Sequence, residues 1–349
     1  MYRFHRYNLI RWDISSPSVA YKLFVRGLYD YAIVKEETSS GVTTRGYFVA
    51  AKGLETSWNN RASLTYSSDI KGRKLVNEGQ NWLLANTGGE VFSGLLDEYG
   101  GAAAAYSLRK LSSSYSGDAI VVRRSSDNAT QNIGFIENEL DTTTLNSFCS
   151  GANGFITTWY DQSGNGNNST NATASEQPKI YDASTGVILE NGKPAVSFDG
   201  VDDRLGTDII PDENQPFTAF FIRKYLNVSG GTFVGLSVDS SASTGYAEIS
   251  FFGQFRSFYN TYLGSFTSNT LQGLWYSLGN STSSEIGLDG QTAIVGNAGT
   301  NGLEVINIGS AHTSFFANIN VQEVIIYNSN QSSNRTGIET NINDFYNIY

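Results

Sequence analysis

Three groups of residues in this 349-residue chain carry side chains able to do chemistry. The first is the run WYDQSGNGN, Trp159 to Asn167, where two large rings stand beside a carboxylate and three amides. Trp159 and Tyr160 could stack on a sugar ring, and Asp161, Gln162, Asn165 and Asn167 could hydrogen-bond to its hydroxyls. The same residues also suit a strand end that feeds a plain Asx- and Gly-rich loop. The second group is Asp199, Asp202 and Asp203 in one turn. Clustered carboxylates suit a hard cation, which makes calcium the one cofactor the sequence allows. The same three side chains can instead bond nearby amides and close a tight turn. The third group is dispersed: Glu248, Asp289, and two histidines, His5 and His312, too far apart in sequence to suggest a metal pair or a triad.

The elements that must position these residues read as strands. The chain is 40% hydrophobic and 16% charged, with 20 Phe, 20 Tyr and 36 Gly, a composition that favours pleated, half-buried surfaces joined by many turns. DAIVVRR, QNIGFIE and GFITTWY precede the first group. GVILE, AVSFDG, FTAFFIRKY, GTFVGLSV, EISFFGQF, GLWYSLG, LEVINIGS and VQEVIIYN follow it. Helix is expected in three places. YGGAAAAYSLRKL has four alanines and C-terminal cations. Asp141 reads as the N-cap of a short helix with Leu145, Phe148 and Cys149 on one face. Ile338, Ile342, Phe345 and Tyr349 recur at helical spacing near the C-terminus. Strands at short intervals with little helix leave an all-β sandwich, a jelly roll of about eight to fourteen strands.

A change of character near TGGE, residues 87–90, divides a smaller β-rich head, 1–90, from a body, 91–349. Residues 1–90 carry 12 Lys/Arg against 8 Asp/Glu, and the rest carry 11 against 25. The head opens with eight aromatic residues before residue 36: Tyr2, Phe4, Tyr7, Trp12, Tyr21, Phe24, Tyr29 and Tyr31. So many rings need something to pack on, which points to an anchoring or assembly surface. The only basic cluster is Lys71, Arg73 and Lys74, so no nucleic-acid partner is expected. No apolar stretch approaches the roughly 18 residues of a membrane span. The single cysteine, Cys149, excludes an internal disulfide.

The stretch from GAAAAYSLRKL through WYDQSGNGNN resembles the N-terminal part of the catalytic module of B-type α-L-arabinofuranosidases. FDGVDD, Phe198 to Asp203, and the closing QEVIIYN with its helix resemble the wider laminin-G-like lectin and glucanase group. The resemblance implies a concanavalin-A-like jelly-roll sandwich with a short C-terminal helix. It also implies a pair of carboxyl groups about 5–5.5 Å apart for retaining hydrolysis. The family's acid/base Asp follows a Gly-Gly pair after an apolar strand, and VINIGSA places Gly309, Ser310 and Ala311 there. Its nucleophilic Glu lies on a mid-domain strand matching ISFFGQF, which holds no acid, with Glu248 just ahead of it. On that mapping the chain is expected not to be an enzyme.

Modules of this type also recur in bacteriophage structural proteins, and the opening MYRFHRYNLIRWDISS does not read as a secretory signal. The resulting expectation is a virion protein assembled in the host cytoplasm: a tail fibre, spike or surface-decoration subunit, trimeric, docked to other virion proteins by its head. Its body would bind a host surface glycan. The alternatives are an arabinofuranosidase-like glycoside hydrolase, using Glu248 with an acid such as Asp289, and a purely structural capsid protein.

Overall fold

The computed structural model describes residues 6–16, 18–26, 30–39, 42–50, 54–65, 73–78, 81–86, 92–207, 214–228, 231–238 and 245–349. Tyr2, Phe4, His5, Tyr29, Lys71 and the TGGE turn lie outside these residues. The chain divides into two compact units, Met1–Phe92 and Ser93–Tyr349.

The first unit is a six-stranded antiparallel sheet. Its strands run in the order Val42–Ala50, Asp30–Ser39, Val19–Arg26, Arg6–Ser16, Asn81–Asn86, Arg73–Glu78. Alternation in the second and third strands in sequence puts Tyr21, Leu23 and Ile33 on one face, where Trp58 covers them. The guanidinium of Arg61 lies 4.8 Å from the Trp58 ring centroid and closes that small core.

The second unit is an antiparallel β-sandwich. Nineteen strands belong to one connected sheet that folds back on itself, four of them only two residues long. FTAFFIRKY forms the strand Phe217–Tyr225 at its centre, paired on one side with Gln272–Gly279 and on the other with Asn318–Tyr327. Both faces of this strand are covered, so it reads as a continuous apolar run rather than an alternating one. Phe217, Ala219, Phe221 and Tyr225 point into the main core with Trp159, Trp275 and Phe198. Phe220 and Ile222 point the other way, onto Leu95, Tyr327 and the C-terminal helix. That helix spans Arg335–Tyr346 and buries Ile338, Ile342 and Tyr346; Asn347 ends it in the left-handed conformation, leaving Tyr349 beyond. The Thr142–Cys149 helix starts as the sequence predicts, with the Asp141 carboxylate accepting from the Thr144 amide at 2.9 Å. Among the described residues, no helix is long and apolar enough to cross a membrane.

One expected helix is instead a strand. Ala102–Ser107 is fully buried and pairs antiparallel with Asn318–Tyr327. Alanine's helical preference amounts to a few tenths of a kcal/mol per residue. Here it is outweighed by burial on both faces and by backbone bonds that a helix in the same place could not make. The small side chains let the strand lie close between its neighbours.

Candidate active site

The bulk of the WYDQSGNGN loop serves that alanine strand. Asp161 Oδ1 accepts from the amides of Ala105 (2.9 Å) and Ser163 (2.8 Å), and Oδ2 accepts from Asn167 N (3.0 Å) and Ser163 Oγ (2.7 Å). Gln162 accepts from Leu111 N and donates to the carbonyls of Ser107 and Arg109. Asn165 and Asn167 donate to the carbonyls of Ala102 and Ala103. Trp159 is wholly buried beside Tyr106, so its ring offers no face to a sugar. Tyr160 is half-buried. The hydrogen-bonding capacity that made these residues candidate ligand contacts is largely used inside the protein.

Asp199, Asp202 and Asp203 come together, with a carboxylate oxygen from each within 4.8 Å of the others. The turn is held by its own amides. Asp203 accepts from Asp199 N at 2.9 Å, and Asp199 accepts from Val201 N at 2.8 Å. Burial, and then the neighbouring Asp199 charge, push the Asp203 carboxyl up to about 7. A cation placed among the three would relieve that repulsion, but the turn geometry is explained without one.

Ala311 is fully buried against Val234, Tyr246 and Ile249, and its amide and carbonyl pair with Ser314. Ser310 is buried beside it, and its hydroxyl donates to the His312 carbonyl. His312 is exposed, with its ring Nδ1 3.4 Å from the Thr313 hydroxyl. No carboxylate stands at this turn.

A buried carboxylate with a charged partner lies elsewhere. Glu248 lies on the Tyr246–Phe251 strand, and the bulge in its pairing with Gln254–Phe258 turns the side chain into the sandwich. It has no exposed surface. Its Oε2 accepts from the Tyr225 hydroxyl at 2.5 Å, and its Oε1 faces both Nε and Nη2 of Arg223 at 3.4 Å. Arg223 is 1% exposed and lies over the Phe255 ring at 4.4 Å. Burial raises the Glu248 pKa, against the opposing pull of Arg223 and Tyr225.

Asp289 feels the charge of the same guanidinium, although no ion pair joins the two among the described residues. Its Oδ1 accepts from Leu274 N at 2.8 Å, and burial raises its pKa while Arg223 pulls it down. Two glycines clear this space. A Cβ on Gly235 would sit 2.5 Å from Glu248 Oε2 and 2.8 Å from the Tyr225 hydroxyl. A Cβ on Gly273 would run into Arg223 Nη1 and come within 3.2 Å of Asp289 Oδ1. The result is one carboxylate paired with a fixed cation and a second that feels the cation's charge, both held toward the protonated side by burial. Arg223 and Tyr225 went unnoticed in the sequence. The signal was present: in FTAFFIRKY they share the alternation of Phe217, Ala219 and Phe221, which puts a guanidinium and a phenol at core positions.

A family model described as the catalytic domain of alpha-L-arabinofuranosidase B matches residues 98–194. Those residues contain the alanine strand and the WYDQSGNGN loop. Among solved structures, a GH54 α-L-arabinofuranosidase mutant soaked with 4-nitrophenyl α-L-arabinofuranoside is similar at a TM-score of 0.52 and 16% identity, over 69% of this chain and 62% of that one. A GH54 α-L-arabinofuranosidase soaked with a cyclic sulfate inhibitor is similar to the same degree. The body shares the fold of these enzymes. The chain spans a little under two thirds of their length. A sialidase of Trypanosoma rangeli in complex with sialic acid is similar at a TM-score of only 0.40 and 12% identity, over 94% of this chain and 49% of that one. No curated protein matches the chain by sequence.

These findings correct the expectation that the chain is not an enzyme. The matching family model is that of a catalytic domain, and the two solved structures above that share the fold are arabinofuranosidases. The expectation rested on Ala311 in the turn at residues 309–311 and on a strand without an acid, and it set aside the alternative of Glu248 with an acid such as Asp289.

Proposed function

We propose that residues 93–349 form a glycoside hydrolase of the arabinofuranosidase kind, acting on α-L-arabinofuranosyl groups with Glu248 and Asp289 as its carboxyl pair. The burial of Glu248 against Arg223 and Tyr225, with Asp289 under the charge of the same guanidinium, inside a fold shared with arabinofuranosidases, carries the reading. Glu248 is suited to the nucleophile, because Arg223 and Tyr225 both stabilise its ionised form. Asp289 is suited to the acid/base, because burial favours its neutral form against the pull of Arg223. Arg223 favours the ionised form of both acids, which makes it a positioning residue.

Glu248 has no exposed surface, so the proposal commits to an opening of the sandwich at this end when substrate enters. The experiment is hydrolysis of 4-nitrophenyl α-L-arabinofuranoside by the full chain, with mass spectrometry after exposure to a cyclic sulfate inhibitor. Turnover, together with a covalent label mapped to Glu248, is expected. Glu248→Gln should lower the rate by about 10²- to 10⁴-fold. Absence of both turnover and label, or a label on another acid, overturns the assignment.

A further inference from the structure

A cleft lies where the segment 96–117 meets the WYDQSGNGN loop, with a volume of about 410 Å³. It shares no residue with the Glu248–Arg223–Asp289 cluster, and its lining contains no Lys, Arg or His. Its one charged group, Asp97, is already spent. The carboxylate accepts from Gly94 N and Ser113 N at 2.7 Å each and from Ser112 Oγ at 2.7 Å. Burial works against its charge, and these three bonds more than offset that and hold its pKa below the ordinary value. The cleft therefore offers neither a free cation for an anionic ligand nor a bare carboxylate for a cationic one.

What it does offer is hydroxyls, open backbone and one ring. Ser114 and Ser116 are exposed along the rim. Gly101 and Gly164 have φ of +82° and +90°, and nothing lies within 4 Å of where a Cβ would stand. A ligand can thus approach the peptide groups there closely, as it could not past a side chain. Tyr115 is half-buried and held from two sides. Its hydroxyl donates to the Asp118 carbonyl at 2.8 Å, and its ring meets Phe135 edge-on with centroids 6.3 Å apart. A ring fixed in this way is a platform for the C–H face of a sugar. The volume falls in the roughly 300–1,000 Å³ range of small-molecule sites, while the hydroxyl-rich lining departs from their usual apolar character.

We propose that this cleft is a second, non-catalytic glycan site, taking one or two sugar units of a neutral, unsubstituted polysaccharide. It would hold a chain on the protein surface while the carboxyl pair acts elsewhere. The site needs no hydrolysis to be observed, so it is tested on the Glu248→Gln chain by calorimetric titration with neutral arabino-oligosaccharides, and with sialyllactose as an acidic control. Binding of the neutral sugars is expected. Ser116→Trp, which fills the cleft from an exposed position, should weaken it at least tenfold, and Tyr115→Ala should do the same. In the otherwise unaltered chain, Ser116→Trp should leave hydrolysis of the small aryl arabinofuranoside within twofold.

Equal affinity in Ser116→Trp, no binding of any neutral oligosaccharide, or tighter binding of sialyllactose overturns the proposal. So does loss of small-substrate hydrolysis in Ser116→Trp, which would put the cleft inside the active site. If the unaltered chain hydrolyses nothing, the carboxyl-pair reading fails by itself, and the titrations still decide this one.

Discussion

Arg109–Glu323 and Arg223–Glu248 each bury a guanidinium against a carboxylate in the second unit, but their geometries differ. Arg109 grips Glu323 with a fork, Nε to Oε2 at 2.8 Å and Nη2 to Oε1 at 2.9 Å, while its third nitrogen donates to Asn341 at 3.0 Å. Ser107 and Tyr346 add their hydroxyls to the same carboxylate. Burial alone would lower the Arg109 pKa, yet Glu323 more than offsets this and holds it above its ordinary value. Arg223 instead meets a single oxygen of Glu248 at 3.4 Å from two nitrogens, and the cleared space of Gly235 and Gly273 borders the cluster. A saturated fork is a clamp, with its bonding capacity spent on fixing strand and helix. A slack pair with a raised carboxyl and a second acid nearby keeps charge available for a reacting group.

The contrast predicts a large difference in stability. Glu323→Ala strands a buried guanidinium and should cost about 3–5 kcal/mol in denaturant unfolding. Glu248→Gln should cost less than half as much, because Asp289 remains beside Arg223 and glutamine keeps the shape. Equal losses would dissolve the distinction between clamp and slack pair.

The cleared space can be tested next. Gly235→Ala places a methyl where Glu248 Oε2 and the Tyr225 hydroxyl now meet, and should cost about 1–3 kcal/mol through overpacking. Its effect on hydrolysis should exceed that of an alanine at an open glycine such as Gly192, where nothing lies within 4 Å. A neutral outcome in both assays would mean that the space plays no part in holding the pair.

Asp203 supplies a third case, a buried carboxyl pushed upward with other acids and no guanidinium at its side. Its folded-state pKa of about 7 lies above the ordinary 3.8. Its contribution to stability is therefore complete below pH 4 and is lost as pH rises toward 7. Asp203→Asn should remove that decline and raise stability at pH 8 by about 1–2 kcal/mol after allowance for solvent screening, read from unfolding midpoints at pH 4 and pH 8. An unchanged pH dependence would show that the neighbouring acids do not set its charge.

The smallest effect separates the two roles of the pair. The Tyr225 hydroxyl lowers the Glu248 pKa, so Tyr225→Phe should raise it. If Glu248 acts ionised, the acidic limb of the pH–rate profile moves to higher pH in that variant. Movement of the basic limb to higher pH, with the acidic limb unchanged, would exchange the roles of Glu248 and Asp289.

The sandwich was legible because its strands are marked locally. Alternation, turn residues and the Asp141 cap each act within a few positions. The alanine strand was misread for the same reason. Its helical preference is local, while its pairing to Asn318–Tyr327 and its bonds to Asp161 and Gln162 come from far along the chain. The carboxyl pair had the same difficulty. Glu248 and Asp289 could be named as acids, but their meeting at Arg223 depends on register, with Arg223 opposite Gly273 beside the turn that carries Asp289. No spacing in the sequence encodes that.

The pairing of Ala102–Ser107 with Asn318–Tyr327 also has a consequence for biosynthesis. The Ser107–Glu323 hydrogen bond closes a loop of 216 residues, so the body's first central strand waits for its partner until nearly all of the sandwich has been translated. Closure of so long a loop comes late and slowly, and until then the alanine strand and its apolar neighbours are unshielded. The nascent chain is thus most prone to aggregation just before its last strand leaves the ribosome.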